Sequence, residues 1–266
     1  MQRSHRGRDW LRLGAWAILA LCTTLAQAAD IRVVSSGGFA AALRALAPGF
    51  EHDSGHHLIL DWGPSMGETP QAIPARLARG ESIDVVIMVG NALDGLIQRG
   101  QVQDEGHALL ARSRIALAVK AGAPHPDISS VAALRATLLQ ARSIAYSDSA
   151  SGVFLATVLF PRLGVESALR TTARQIPAEP VGQVVARGEA ELGFQQLSEL
   201  QAIAGIDIVG LLPDAAQQVT PFSAGVVTRS HEAGAAQALI RYLTSPAAIP
   251  LIRQTGLDPA SATSAQ

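Results

Sequence analysis

Cysteine is nearly absent. Cys22 is the only one in 266 residues, so beyond it the chain has neither a disulfide framework nor thiolates for a metal or a redox pair. Aromatic residues make up 4% of the sequence, which argues against a sugar site built on stacked rings, and two tyrosines, Tyr146 and Tyr242, are too few for a ferric-ion site built on a tyrosine cluster. Lysine and arginine total 21 against 22 aspartate and glutamate. With no basic stripe, nucleic acid is not an expected partner. After the first 28 residues, no stretch reaches the roughly 18 apolar residues a membrane span needs.

The N-terminus has a basic start, an apolar stretch over 13–25 and Ala26-Gln27-Ala28. That is the layout of a secretory leader, so residues 1–28 are expected to be a signal peptide. The mature protein is then soluble, exported and periplasmic.

The rest alternates short apolar runs with Ser/Gly loops and helical spacing. Residues 31–34 predict a strand, "SSGG" a loop, and the apolar positions from Phe39 to Phe50 a helix. Strand 58–62 leads into "GPSMG", followed by a weak helix over 71–79 that Pro74 shortens. Residues 83–88 form an almost uninterrupted apolar strand, of the kind buried on both faces of a parallel sheet. After a strand at 115–119 the pattern restarts: helix 131–139, strand 143–146, loop "SDSASG", helix 153–163, helix 181–187, and strands at 191–194, 206–212 and 224–227, with a closing helix at 235–243. Repeated β-loop-α units predict an α/β fold of doubly wound type.

Two loops join a strand end to a helix start and carry hydroxyls and glycine: Ser35-Ser36-Gly37-Gly38 and Ser147-Asp148-Ser149-Ala150-Ser151-Gly152. Ligands bind at that edge of an open α/β sheet, where free amide N–H groups and the helix dipole attract anions. Ordinary N-capping by serine explains either loop alone; two of them, with GPSMG as a third, favour a site. GPSMG also matches G-x-S-x-G, which would make Ser65 a nucleophile, with Asp207 and His231 in the right chain order. That pattern is weak in a chain with 24 glycines, and too few strands precede Ser65. His52, His56 and His57 surround Asp53, Ser54 and Gly55, where a solvated turn accounts for them better than a metal.

The stretches 31–43 and 79–87, Ser151-Gly152 before a helix ending in Leu163-Gly164, and Pro177-Ala178-Glu179 with Val181 and Leu192-Gly193 resemble the periplasmic molybdate-binding proteins of ABC importers, within the type II solute-binding group. The resemblance implies two lobes, each a mostly parallel sheet flanked by helices. Lobe 1 would comprise residues 30–111 with 223–258, lobe 2 residues 112–222, and 259–266 would be a disordered tail. It also implies a small oxyanion such as molybdate or tungstate held between the lobes, and an ABC permease as partner. Ser65 and neighbouring Met66, Ser149, Ser151, Gly152 and Val181 fall at or near the family's ligand contacts. So do Ser35, Ser36, Gly37 and Gly38. Gly38 stands where the family has serine, and Gln196 where it has tyrosine. These two departures admit a small organic carboxylate instead. The expectation is therefore a monomeric binder without cofactor, metal or catalysis; the alternatives are a carboxylate binder, a sensor, and an exported hydrolase using Ser65.

Overall fold

The two largest of five separate hydrophobic clusters among the described residues set the architecture. One gathers around Phe39, Leu43, Phe50, Ile87 and Phe222; the other around Ile115, Leu155, Phe160 and Phe194. A computed structural model describes residues 28–177 and 179–260, so the expected signal peptide, apart from its last residue, lies outside the described residues. Among the described residues there are ten strands: β1 (Asp30–Ser35), β2 (His57–Trp62), β3 (Val85–Val89), β4 (Ala108–Lys120), β5 (Ile144–Ser147), β6 (Ala173–Ile176), β7 (Leu192–Gln196), β8 (Ile206–Leu211), β9 (Val219–Val226) and β10 (Asp258–Pro259).

They run in the order β2-β1-β3-β9-β4-β7-β5-β6, with β8 and β10 also paired to β4. β1, β2 and β3 are mutually parallel, as are β5, β6 and β7, which reproduces the expected two-lobed α/β fold. β9 and β4 add antiparallel strands between the two parallel sets. β4 is the bridge. Up to Arg114 it pairs with β9, and from Ile115 onward with β7, so one continuous backbone spans both sheets.

Local chemistry explains the elements. All five residues of β3 are buried, the outcome expected of an apolar run covered on both faces. The helix Gly37–Ser54 ends at Gly55, whose φ of 70° is the left-handed conformation that glycine adopts without a Cβ penalty. Helix Val131–Gln140 is capped by the Ser130 hydroxyl, which accepts from the Ala133 N–H at 3.1 Å. Helices at Gly90–Gln98, Leu197–Leu200 and Ile249–Gln254 and strand β6 add to the elements read from the sequence. Pro259, assigned to a disordered tail, instead pairs with Ala111, and the Ala260 N–H donates to the Leu110 carbonyl at 2.9 Å; residues 261–266 lie outside the described residues.

Candidate functional site

Because β1, β2, β3, β5, β6 and β7 all point their C-terminal ends the same way within each parallel set, the loops that follow them converge on one cleft. Its volume is about 310 Å³, near the lower end of the range for small-molecule sites. Ser36, Gly37 and Gly38 enter from β1, Trp62 to Ser65 from β2, and Val89 from β3. Across from them are Ser147 to Ala150 after β5, Glu179 and Pro180 after β6, and Gln195, Gln196 and Glu199 at the end of β7; Phe222 of β9 forms part of the floor. No lysine, arginine or histidine lines the cleft among the described residues. Attraction for an anion must therefore come from helix N-termini, amide N–H groups and hydroxyls.

The residues singled out from the sequence divide in two. Ser36, Gly37, Gly38, Ser65, Ser149 and Gln196 line the cleft, whereas Ser35, Met66, Ser151, Gly152 and Val181 do not. The corrections have local causes. Ser35 is fully buried and its hydroxyl donates to the Ser36 carbonyl at 3.0 Å. Met66 packs against the first core. The Ser151 hydroxyl is tied to that of Ser147 at 2.9 Å, and Gly152 lies so close to the Ser147 carbonyl that no Cβ fits. The Val181 N–H donates to Oε1 of Gln195 at 2.9 Å and so is not free for a ligand.

Ser65 has none of the surroundings of a nucleophile. Its hydroxyl oxygen accepts from the Val89 N–H at 3.0 Å, which leaves its hydrogen free to donate into the cleft. Asp207 accepts from the Gly122 N–H and faces His125, so the proposed acid belongs to another part of the surface, and no histidine borders the cleft among the described residues. The hydrolase reading therefore lacks its base. Of the histidine group, His57 pairs with Glu51 and His56 accepts from the Ala29 N–H.

Gly38 and Phe222 explain each other. Cζ of Phe222 lies where a Cβ on Gly38 would be, so a ring from β9 fills the place a serine side chain would take. Two polar atoms that line the cleft have no hydrogen-bond partner among the described residues: the Ser36 hydroxyl, on a residue 5% exposed, and Oε1 of Gln196, on a residue 1% exposed. Nε2 of Gln196 donates to the Thr220 hydroxyl at 3.0 Å. Buried polar atoms are costly when unpaired, and both belong to residues that line the cleft.

The sequence reading missed Glu199. It sits in the short helix Leu197–Leu200, half-buried at the cleft wall with Oε1 against Gly37. Burial pushes its pKa up from 4.5 to about 7; hydrogen bonds from the Gln195 side chain and the Gln196 backbone oppose that rise, and the nearby Asp148 charge reinforces it. A carboxyl of that acidity can both take and give a proton near neutral pH. One signal was available: an acid between Leu197 and Leu200, four residues after Gln195.

Comparison with known proteins completes the description. The family model for bacterial extracellular solute-binding proteins matches residues 31–258. The chain is 52% identical to a Pseudomonas sp. protein named aconitate isomerase, over 95% of this chain and 97% of the relative. It is 28% identical to the molybdate-binding protein ModA of Azotobacter vinelandii, over 89% of this chain and 92% of the relative. Among solved structures, the A. vinelandii periplasmic molybdate-binding protein superposes with a TM-score of 0.69 at 22% identity, covering 85% of this chain and 98% of that one. The expectation of a non-catalytic protein is overturned by the first relative, which is an enzyme by name. By its family match and these relatives, the chain belongs to the bacterial extracellular solute-binding proteins.

Proposed function

We propose that the protein is an isomerase of aconitate, or of a closely similar unsaturated tricarboxylate, and that Glu199 moves the proton. The carrying observation is a half-buried carboxyl with its pKa pushed up to about 7, in the cleft of a chain half identical to a protein named aconitate isomerase. Aconitate has a three-carbon unit in which a CH₂ adjoins a carbon–carbon double bond, with a carboxylate on each carbon. Ionised Glu199 removes a proton from the CH₂. The electron pair left behind spreads over the three carbons and into the flanking carboxylates. Protonated Glu199 then returns the proton to the far end of the unit. The double bond shifts by one position and can form with the opposite geometry. One C–H bond breaks and one forms, with no oxidant, reductant or added group required.

The charge that develops during the transfer is received by neutral donors. The N-terminus of helix Gly37–Ser54 faces the cleft at Ser36, whose hydroxyl has no partner among the described residues, and helix N-termini and hydroxyls stabilise carboxylate charge. Ser65 adds its free hydrogen. Oε1 of Gln196 is an acceptor, suited to a carboxyl that carries a proton. In this reading residues 1–28 are a cleaved export leader and the protein works in the periplasm. Family membership also supports a second role, presentation of the ligand to an importer permease.

The test is incubation of the mature protein, residues 29–266, with trans-aconitate and chromatographic measurement of cis-aconitate. Turnover is expected. Glu199→Gln should lower it by about 100-fold or more, the usual worth of a positioned acid–base group. An inactive wild type that still binds molybdate would overturn the proposal.

A further inference from the structure

Ser198 precedes Glu199 on the short helix Leu197–Leu200 and is buried, with 2% of its surface exposed. Its hydroxyl donates at 2.8 Å to the carbonyl of Gly38, 160 positions away in the chain. A carbonyl only accepts, so the single hydrogen of Ser198 is committed to it. On the other side the Ser198 oxygen faces the Ser113 hydroxyl at 3.5 Å, a longer and weaker contact. Ser113 lies on β4 just before that strand passes from β9 to β7. The helix that carries the acid is thus bonded to the first turn of helix Gly37–Ser54 and backed by the strand that joins the two sheets.

The contacts run in matched register. Ser198 meets Gly38, and Glu199 meets Gly37, where its Oε1 takes the place of a Cβ; two consecutive residues face two others in reverse order. Next in that order is Ser36, whose unpaired hydroxyl belongs to the cleft lining. Packing also holds the helix, since the Leu197 side chain lies against Gly256, but apolar contact is non-directional. The hydrogen bond adds direction. Resting on the proton-transfer reading above, we propose that Ser198 is a positioning residue, whose bond to the Gly38 carbonyl sets the distance between the Glu199 carboxyl and a substrate carboxylate held at Ser36.

Ser198→Ala removes the bond while leaving the packing of Leu197 in place. With trans-aconitate as substrate, kcat should fall by about 10-fold and KM should stay within about 2-fold, the pattern of a displaced reacting group rather than of lost binding. The second readout needs no turnover: titration of the Glu199 carboxyl by ¹³C NMR, assigned with Glu199→Gln. Its midpoint should fall from about 7 toward 4.5, because a loosened contact with Gly37 admits water to the carboxyl. Asp148 and Glu179, the other carboxyls lining the cleft, sit on the loops after β5 and β6, and Glu179 is paired with Arg187 at 2.6 Å; the substitution leaves both in place. Ser198→Cys, which keeps a side chain of similar shape but a weak donor, should move both readouts the same way and serves if the alanine variant does not fold. In folded variants, kcat near the wild-type value with the midpoint unmoved would overturn the proposal and leave the isomerase reading intact. A wild type inactive on aconitate, with a midpoint that still falls in the variants, would sink the isomerase reading and leave the hold of Ser198 on Glu199 standing.

Discussion

Gly37 has no side chain at the place where Oε1 of Glu199 comes to rest. The first helix of one lobe thereby forms the lid over an acid supplied by the other, and the contact is reinforced next door, where the Ser198 hydroxyl donates to the Gly38 carbonyl at 2.8 Å.

Gly37→Ala tests that relationship. A methyl group would meet the Glu199 carboxyl, which must turn away. A fall in kcat of about 10-fold or more is expected, since misplacing a reacting group by about 1 Å can cost as much as 100-fold. The melting temperature should change little, because Gly37 opens a helix and alanine suits that position. Unaltered kinetics would show that Glu199 does not work from this place.

Gly38→Ser restores the residue type implied by the molybdate-binding resemblance. The Phe222 ring fills that space, so the variant should lose about 1–3 kcal/mol of stability, the typical cost of overpacking. Denaturant titration measures this. It should recover in the double variant with Phe222→Ala less than additively lost stability, because the two sites share one volume.

Ser65→Ala addresses the elbow motif. A nucleophile's loss would abolish turnover. In the proposed role the hydroxyl, which accepts from Val89, donates to the ligand, so the expected result is a KM raised by roughly 5- to 100-fold, the equivalent of about 1–3 kcal/mol, with kcat kept within a few-fold. Steady-state kinetics on trans-aconitate distinguishes the two.

Stability should fall with rising pH through the range where Glu199 ionises. Its folded pKa, about 7, lies above the ordinary 4.5, so the fold favours the neutral acid. That contribution is complete below pH 4.5 and is lost as pH climbs through 7, amounting to at most about 3 kcal/mol. Glu199→Gln, neutral at every pH, should flatten this part of the profile and be more stable than wild type at pH 8 while lacking activity. Parallel profiles for the two proteins in urea unfolding would contradict the assigned pKa.

Much of the fold was legible because it rests on local signals. β3 is an apolar run, helix Gly37–Ser54 follows a Ser/Gly loop, and helix Ala233–Leu243 has a clear apolar face. The cleft was legible only as strand-end loops: Ser36 and Ser65 line it, while Ser151 and Gly152 turned inward because Ser147 claims them. Glu199 was not legible. Its helix is four residues long, too short for periodicity, its raised pKa comes from burial, and the segment against its Oε1, at Gly37, is far away in sequence. The exchange of a Gly38 side chain for the Phe222 ring is likewise a contact between distant segments, visible only once β9 lies beside β3.

The most direct measurement is proton NMR of trans-aconitate incubated in D₂O with wild-type protein and with Glu199→Gln. The account predicts that wild type forms cis-aconitate with deuterium entering the three-carbon unit as the Glu199 proton exchanges with solvent, and that Glu199→Gln does neither at a comparable rate. Isomerisation that proceeds undiminished in Glu199→Gln would contradict it.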